Sequence, residues 1–471
     1  MFLHQSFVKG LGHASYLVGD SAAGVAAVVD PRRDVGEYLQ LAASEGLTIT
    51  DVFETHVHND YVSGADELRR RTGATVHVGT GAGLTRVHQP TADGDVSWLG
   101  ALRVRTIATP GHTPDHVSFA VADTSRSEDE WVLFAGGALL VGTAARPDLL
   151  GGPDEARRAA AIEFATLRDR IATLPDWLEV YPTHGAGSLC GSDIGGKRWT
   201  TIGYERRNNP ALQQPDGEAF TAFILRDQPS VPAYWRRMRQ LNQAGAPPLD
   251  ELPVAGPLAP TAVLHASGHG AVVIDARPGD AYIAGHVPAA LGIGLEPMFG
   301  TWVGSVVPVG SEIVLVLDRD EDLGEALAQL HRASYDRVAG FLAGGFPAWL
   351  AAGFDVEALP MIEPRDVAAQ VAAGTLHVLD VREASEWRGG HVPGAIHIPA
   401  GQLPNRVDEV PRGPLAVVCA TGYRSIVASS FLRQAGFDEA AYVPGGTSAY
   451  AAAGFPLMTD LQPLALTRSA R

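Results

Sequence analysis

The chain has 471 residues, 46% of them hydrophobic and 19% charged, which suits a soluble globular protein of about two to four domains rather than one core. Its net charge of −17, from 36 basic and 53 acidic side chains, argues against nucleic acid and anionic membrane surfaces as partners, and no long apolar run suggests a membrane span. Only two cysteines, Cys190 and Cys419, rule out a disulfide framework; with a polar N-terminus, a reducing, cytoplasmic location is the expectation.

To about residue 245, short apolar runs alternate with amphipathic helical patterns, the mark of an α/β arrangement. Ala23 to Val29 reads as a strand and Val35 to Ala43 as a helix. Further strands are expected over Asp51 to Glu54, Val104 to Ala108, Trp131 to Phe134 and Leu178 to Tyr181. Histidines follow these strands in loops: His56 and His58 in Thr55-His-Val-His-Asn-Asp60-Tyr61, His112 in Thr109-Pro-Gly-His-Thr-Pro, and His184 in Pro182-Thr-His-Gly-Ala-Gly. Any one of them alone reads as an ordinary polar residue. Four in Gly/Pro/Thr loops after strands read as a site for a divalent first-row metal, because neutral imidazoles suit such ions. Cys190 follows in the His184 loop with no charge partner evident, and reads as a packing residue.

Residues 246–261 are Pro-rich and without periodicity, and read as a linker. An internal repeat follows. Val273-Ile-Asp275-Ala-Arg277 and Gly285-His286-Val-Pro288 recur as Val378-Leu-Asp380-Val-Arg382 and Gly390-His391-Val-Pro393, both offset by 105 positions. Gly344-Gly345 and Trp349 recur as Gly445-Gly446 and Tyr450, offset by 101. Two copies of one α/β domain of roughly 100 residues are expected, over 262–356 and 362–458.

In the second copy, the apolar strand Leu415 to Val418 runs into Cys419-Ala-Thr-Gly-Tyr-Arg424-Ser425, and a helix pattern begins by Ile426. That order puts Cys419 beneath a helix N-terminus, where loop N–H groups, the helix dipole and Arg424 favour thiolate over thiol, and equally a persulfide. The plain alternative is a buried structural cysteine. A cysteine phosphatase would hold five residues between Cys and Arg; here there are four, a shorter loop that suits one sulfur better than a phosphate. The first copy has Asp318 at the corresponding place, within Leu317-Asp-Arg-Asp-Glu321, and reads as inactive.

The C-terminal copy resembles the rhodanese family over 362–458, through Asp380-Val-Arg-Glu383 with Trp387, His391-Val-Pro-Gly-Ala395, the Cys419 loop and Gly445-Gly446. The resemblance implies Cys419 as sulfur acceptor with Arg424, and Ala420, Thr421, Gly422, Tyr423 and Ser425 as the anion-binding loop; Asp380, Arg382 and His391 read as structural. Residues 1–245 resemble the metallo-β-lactamase fold, through the histidine loops, Leu11 to Gly19, Arg146 to Leu150, His184 to Cys190 and Thr201 to Arg206. The whole chain is thus similar to the persulfide dioxygenase–rhodanese fusions, a branch related to the mitochondrial persulfide dioxygenase and glyoxalase II.

This resemblance implies an αββα sandwich followed by two rhodanese-like α/β domains, the first inactive. It implies one Fe(II), with zinc as the alternative metal, at His56 and His112, with His58 the further candidate. The implied reaction oxidises a low-molecular-weight persulfide, such as that of glutathione, to sulfite and releases the thiol. Cys419 would exchange sulfur with thiosulfate, persulfides or thiols, and a homo-oligomer is expected. The sequence departs from the pattern where an aspartate ligand is expected after the strand Trp131 to Phe134, because Gly137 stands there. Asp60, His58 or water could replace it. Tyr61 and Gly137 also offer no ligands for a two-metal hydrolase. The alternative is a degenerate N-terminal domain, leaving a sulfurtransferase or sulfur carrier.

Overall fold

Strands whose two faces are both apolar form a sheet that must be covered twice. In the computed structural model, which describes residues 1–459, the N-terminal strands do so. One six-stranded sheet runs in the order β1 (Phe2–Val8), β2 (His13–Asp20), β3 (Val25–Val29), β4 (Thr48–Glu54), β5 (Thr75–Gly79) and β6 (Gln89–Thr91). A second contains, from one edge to the other, β12 (Thr200–Thr201), β11 (Glu179–Pro182), β10 (Val132–Gly136), β9 (Val117–Asp123), β8 (Leu102–Ala108) and β7 (Val96–Leu99).

Alternate residues then sort by face. Tyr16, Val18, Ala27 and Val29 meet Val104, Phe119, Val121 and Phe134 in the core between the sheets. Leu17, Ala26 and Val28 point the other way, onto Tyr38 and Ala42 of helix Gly36–Ser44 and Leu68 of helix Ala65–Thr72. Leu133, Ala135, Leu178 and Val180 pack under Ala160 of helix Pro153–Thr166 and under Phe220 and Ile224 of helix Gly217–Ile224. The result is the expected αββα sandwich. Each expected strand is present, with ends differing by no more than three residues, as is usual for element boundaries.

Contacts divide the chain into two units: Met1–Pro229 with Tyr234–Leu252 and Ala328–Ser334, and Ser230–Ala233 with Pro253–Leu327 and the chain from Tyr335. In the second unit β13 (Gly256–Leu258), β14 (Val272–Asp275), β15 (Leu291–Gly292), β16 (Ile313–Val316) and β17 (Val338–Leu342) form a parallel sheet in the order β13-β17-β16-β14-β15. Gly256–Leu258 falls inside the expected linker yet pairs with Gly340–Leu342 as an edge strand. Its Pro257 sits where an edge tolerates it, which a reading from composition alone cannot separate from linker.

A second parallel sheet runs β19 (Ile396–His397), β18 (His377–Asp380), β20 (Leu415–Val418), β21 (Ala440–Tyr442). The repeat is physical as well as textual. Arg277 grips Asp275 and the Gly285 carbonyl, at 2.7 Å to the latter, and Arg382 grips Asp380 and the Gly390 carbonyl, again at 2.7 Å. Tyr282 stacks on His286, and Trp387 on His391. These pairs hold strand ends, the structural role expected of Asp380, Arg382 and His391. Among the described residues, no helix is long and apolar enough to cross a membrane.

Candidate metal centre and cysteine loop

The histidine loops all leave the C-terminal ends of strands at one edge of the sandwich: His56 after β4, His112 after β8 and His184 after β11. Side-chain nitrogens of these three lie within 4.8 Å of one another, and all three residues are buried. Among the described residues no Nε2 of the three has a protein partner, while each Nδ1 faces one. His56 Nδ1 lies 2.9 Å from Thr55 Oγ1, His112 Nδ1 lies 2.8 Å from the Arg146 carbonyl, and His184 Nδ1 lies 3.5 Å from Ser188 Oγ and from Asp60 Oδ2. Protons held on Nδ1 leave the Nε2 lone pairs converging on one point, the arrangement in which outer-sphere hydrogen bonds orient metal-binding imidazoles. Burial, then the neighbouring histidines, pushes His56 and His184 well below the usual imidazole range; burial pushes His112 down to about 4. The three rings are therefore neutral at physiological pH. This donor set fits a divalent first-row ion.

His58, expected among the ligands, faces elsewhere, and His184 completes the trio. His58 Nε2 lies 3.2 Å from Asp30 Oδ1. Asp30 stands at the end of β3 and also accepts from the Thr55 N–H at 2.8 Å, from Thr55 Oγ1 at 2.8 Å and from the Thr183 hydroxyl. Burial opposes its charge, but His58 and these hydrogen bonds hold its carboxyl below the usual range. Burial likewise opposes the His58 cation, and the Asp30 charge raises its pKa. The His58–Asp30 contact and these hydrogen bonds tie the β3, β4 and β11 loops together. Asp30 escaped the sequence reading; its one signal is an acid closing the apolar run Val25–Val29.

Gly137 supplies no carboxylate. Its N–H donates to His116 Nε2 at 2.8 Å, and a Cβ there would stand 2.6 Å from His112 Cδ2. Asp60, one of the candidate replacements, is buried with its Oδ2 3.5 Å from His184 Nδ1; burial pushes it up to about 6. A cavity of about 350 Å³ opens beside His112, walled by Pro110, Pro114, Pro147, Leu150 and Ile162, with Arg158 among its few polar groups.

In the second unit, β20 delivers Cys419 into the loop before helix Tyr423–Gln434, as expected. Cys419 is buried, with its Sγ accepting from the Gly422 N–H at 3.1 Å and lying 3.6 Å from Ser425 Oγ. Gly422, at φ +127°, takes a backbone shape closed to other residues. Ala420 and Thr421 flank the sulfur without charge. Tyr423 turns away, its hydroxyl donating to the Gly294 carbonyl at 3.1 Å. Arg424 makes a bidentate pair with Glu386, at 2.6 and 2.7 Å. Glu386, unassigned from sequence, is opposed by burial but held below the usual carboxylate range by Arg424. Asp318 of the first copy is exposed, and no cysteine stands there.

Residues 8–184 match the Metallo-beta-lactamase superfamily, and residues 260–352 and 363–453 each match the Rhodanese-like domain. The chain is 29% identical to the mitochondrial persulfide dioxygenase of Bos taurus over 213 residues, 45% of this chain and 76% of that one. It is also 29% identical to a hydroxyacylglutathione hydrolase of Rhodopseudomonas palustris over 247 residues, 49% of this chain and 88% of that one. A solved metallo-beta-lactamase of Staphylococcus aureus superposes with a TM-score of 0.66 at 29% identity, covering 72% of this chain and 98% of that one. The chain therefore carries a metallo-β-lactamase domain in its N-terminal part, followed in sequence by two rhodanese-like domains.

Proposed function

We propose that this protein handles sulfane sulfur, with Cys419 as the acceptor and the histidine centre as the place where a low-molecular-weight persulfide is oxidised. The observation that carries the reading is the Cys419 sulfur seated on the Gly422 N–H beneath a helix N-terminus. The thiolate attacks the outer sulfur of R–S–SH: a Cys419 S–S bond forms, the R–S to sulfur bond breaks, and its electron pair leaves on R–S⁻. The Gly422 N–H stabilises the new anion. Because Glu386 already balances Arg424, and Ala420 and Thr421 bring no charge, the loop offers no spare cation to the thiosulfate dianion. A persulfide, singly charged at its sulfur, is the better donor.

At the N-terminal centre, His56, His112 and His184 would hold iron, which when bound supplies the dioxygen chemistry. The overall change balances as R–S–SH + O₂ + H₂O giving R–SH, sulfite and two protons. The chain's own part is to orient the imidazoles through Thr55, Arg146 and Ser188 and to receive the thiol's organic portion in the apolar cavity beside His112. Buried Tyr61 and side-chain-free Gly137 support this over a hydrolase with a bridged metal pair. The competing reading, a sulfurtransferase with a chemically silent N-terminal domain, draws on the same Gly137. Iron content and oxygen uptake with glutathione persulfide separate them. Uptake that survives Cys419→Ser and is lost with His112→Ala supports the dioxygenase half; sulfur transfer to a thiol that survives Cys419→Ser overturns the other half.

A further inference from the structure

The cavity of about 350 Å³ beside His112 takes its apolar surface from Pro110, Pro114, Pro147, Leu150, Ala159 and Ile162. Ile162 is 49% exposed, a large aliphatic side chain left open to water over an apolar hollow. The charged groups of the wall, Glu155 and Arg158, answer each other. Arg158 Nη2 donates to Glu155 Oε1, and Glu155 Oε2 accepts the Gly152 N–H at 3.0 Å, capping helix Pro153–Thr166. Both side chains are exposed, where an ion pair contributes little. Arg146, whose carbonyl holds His112, is committed as well: it donates to both Asp148 oxygens, at 2.6 and 2.8 Å, and to the Pro229 carbonyl at 2.6 Å. Neither arginine is left open to a carboxylate, nor Glu155 to an ammonium group.

We propose that this cavity selects persulfides whose organic part is uncharged and apolar, a short alkyl or aryl chain, over the zwitterionic tripeptide of glutathione. The inference rests on the reading that the histidine centre oxidises a persulfide, and it adds which class of thiol carries the sulfur. Glutathione brings two carboxylates and one ammonium group. Moved against this wall, they give up their hydration with no partner in return. Left outside in water, the tripeptide forgoes the cavity. An alkyl chain gains instead, because each methylene taken from water strengthens binding about fourfold. His112 belongs to the same wall, so a chain seated there keeps its sulfur end beside the histidine centre.

Binding of thioethers to the full chain, titrated by nuclear magnetic resonance, tests this apart from turnover. Ethyl methyl, propyl methyl and butyl methyl sulfide are compared with S-methylglutathione. The expected result is an affinity that rises about fourfold per methylene, with the butyl compound bound at least tenfold more tightly than S-methylglutathione. Ile162→Lys, at a half-exposed position, should weaken the butyl compound at least tenfold. A flat alkyl series, S-methylglutathione bound as tightly as the butyl compound, or an alkyl series unchanged in a folded Ile162→Lys chain overturns the proposal; the parent series decides the matter whether or not that variant folds. Oxygen uptake by the iron-loaded chain then separates this inference from the reading beneath it. A kcat/KM at least tenfold higher for butyl persulfide than for glutathione persulfide supports both. Uptake that does not favour the butyl compound sustains the dioxygenase reading and overturns the inference. Uptake with neither overturns the dioxygenase reading, and the thioether series alone then judges the cavity.

Discussion

Gly446→Ala is a sharp probe of how the cysteine loop is held. Gly446 opens helix Gly446–Ala452 at φ +54°, and a Cβ there would stand 2.0 Å from the Cys419 carbonyl oxygen and 2.8 Å from its carbon. That backbone cannot step aside freely. The Thr447 N–H donates to the Cys419 carbonyl at 2.8 Å and the Ser448 N–H to the Ala420 carbonyl at 3.3 Å. Left-handed backbone costs alanine about 1–2 kcal/mol. Separating helix and loop enough to seat the methyl loses one or two hydrogen bonds at about 1 kcal/mol each. The expected destabilisation is about 3 kcal/mol. Gly353→Ala is the control: φ +74°, with no atom within 4 Å of the added Cβ, so only the backbone cost of about 1–2 kcal/mol applies. Hydrogen exchange resolved by segment suits a chain with more than one unit. At about 1.4 kcal/mol per decade, amides of Gly446–Ala452 and of the Cys419 loop should exchange on the order of a hundredfold faster in Gly446→Ala. Sulfur transfer should fall with them. Equal protection in both variants, with sulfur transfer intact, refutes the reasoning.

Other outcomes follow from single side chains. Glu163 is buried with both oxygens unpartnered among the described residues, and burial, with Asp148, raises its pKa well above the usual glutamate value. A raised folded pKa means that its full stability holds below the unfolded value near 4.5 and is lost as pH rises towards the folded value; Glu163→Gln should therefore gain on the parent in thermal midpoint between pH 5 and pH 8, and a pH-independent difference contradicts this. Gly137→Asp restores the expected carboxylate but drives its Cβ against the His112 ring, so metal content per chain should fall; a rise would mean the loop yields. Glu386→Gln frees Arg424 and should raise kcat/KM for thiosulfate about tenfold, the worth of one charge-assisted hydrogen bond, with little change for a persulfide. Unaltered thiosulfate turnover would dismiss the charge argument for donor choice.

Local chemistry was readable from the sequence and distant chemistry was not. The strand, Cys419, Gly422 and the following helix are consecutive, so their geometry is nearly written in the order of residues. His56 and His112 were legible for the same reason, each closing a strand in a loop of Pro, Gly or Thr. His58 was not, because two residues of one loop can point to different partners, and its partner Asp30 closes a separate strand. The Glu386 partner of Arg424 was hidden because it lies in another helix. That Asp60 stands beside the buried Cys190 was hidden because Asp60 lies far earlier in the chain. The edge strand Gly256–Leu258 was hidden by composition: three residues of Gly, Pro and Leu carry no period.

The most direct test is the mass of the Cys419 peptide after brief exposure of the full chain to glutathione persulfide and trapping with an alkylating agent. One added sulfur atom on that peptide, absent in Cys419→Ser and removed by a thiol acceptor with release of a new persulfide, is the predicted result. An unmodified Cys419 in a chain that still moves sulfur from donor to acceptor would contradict it.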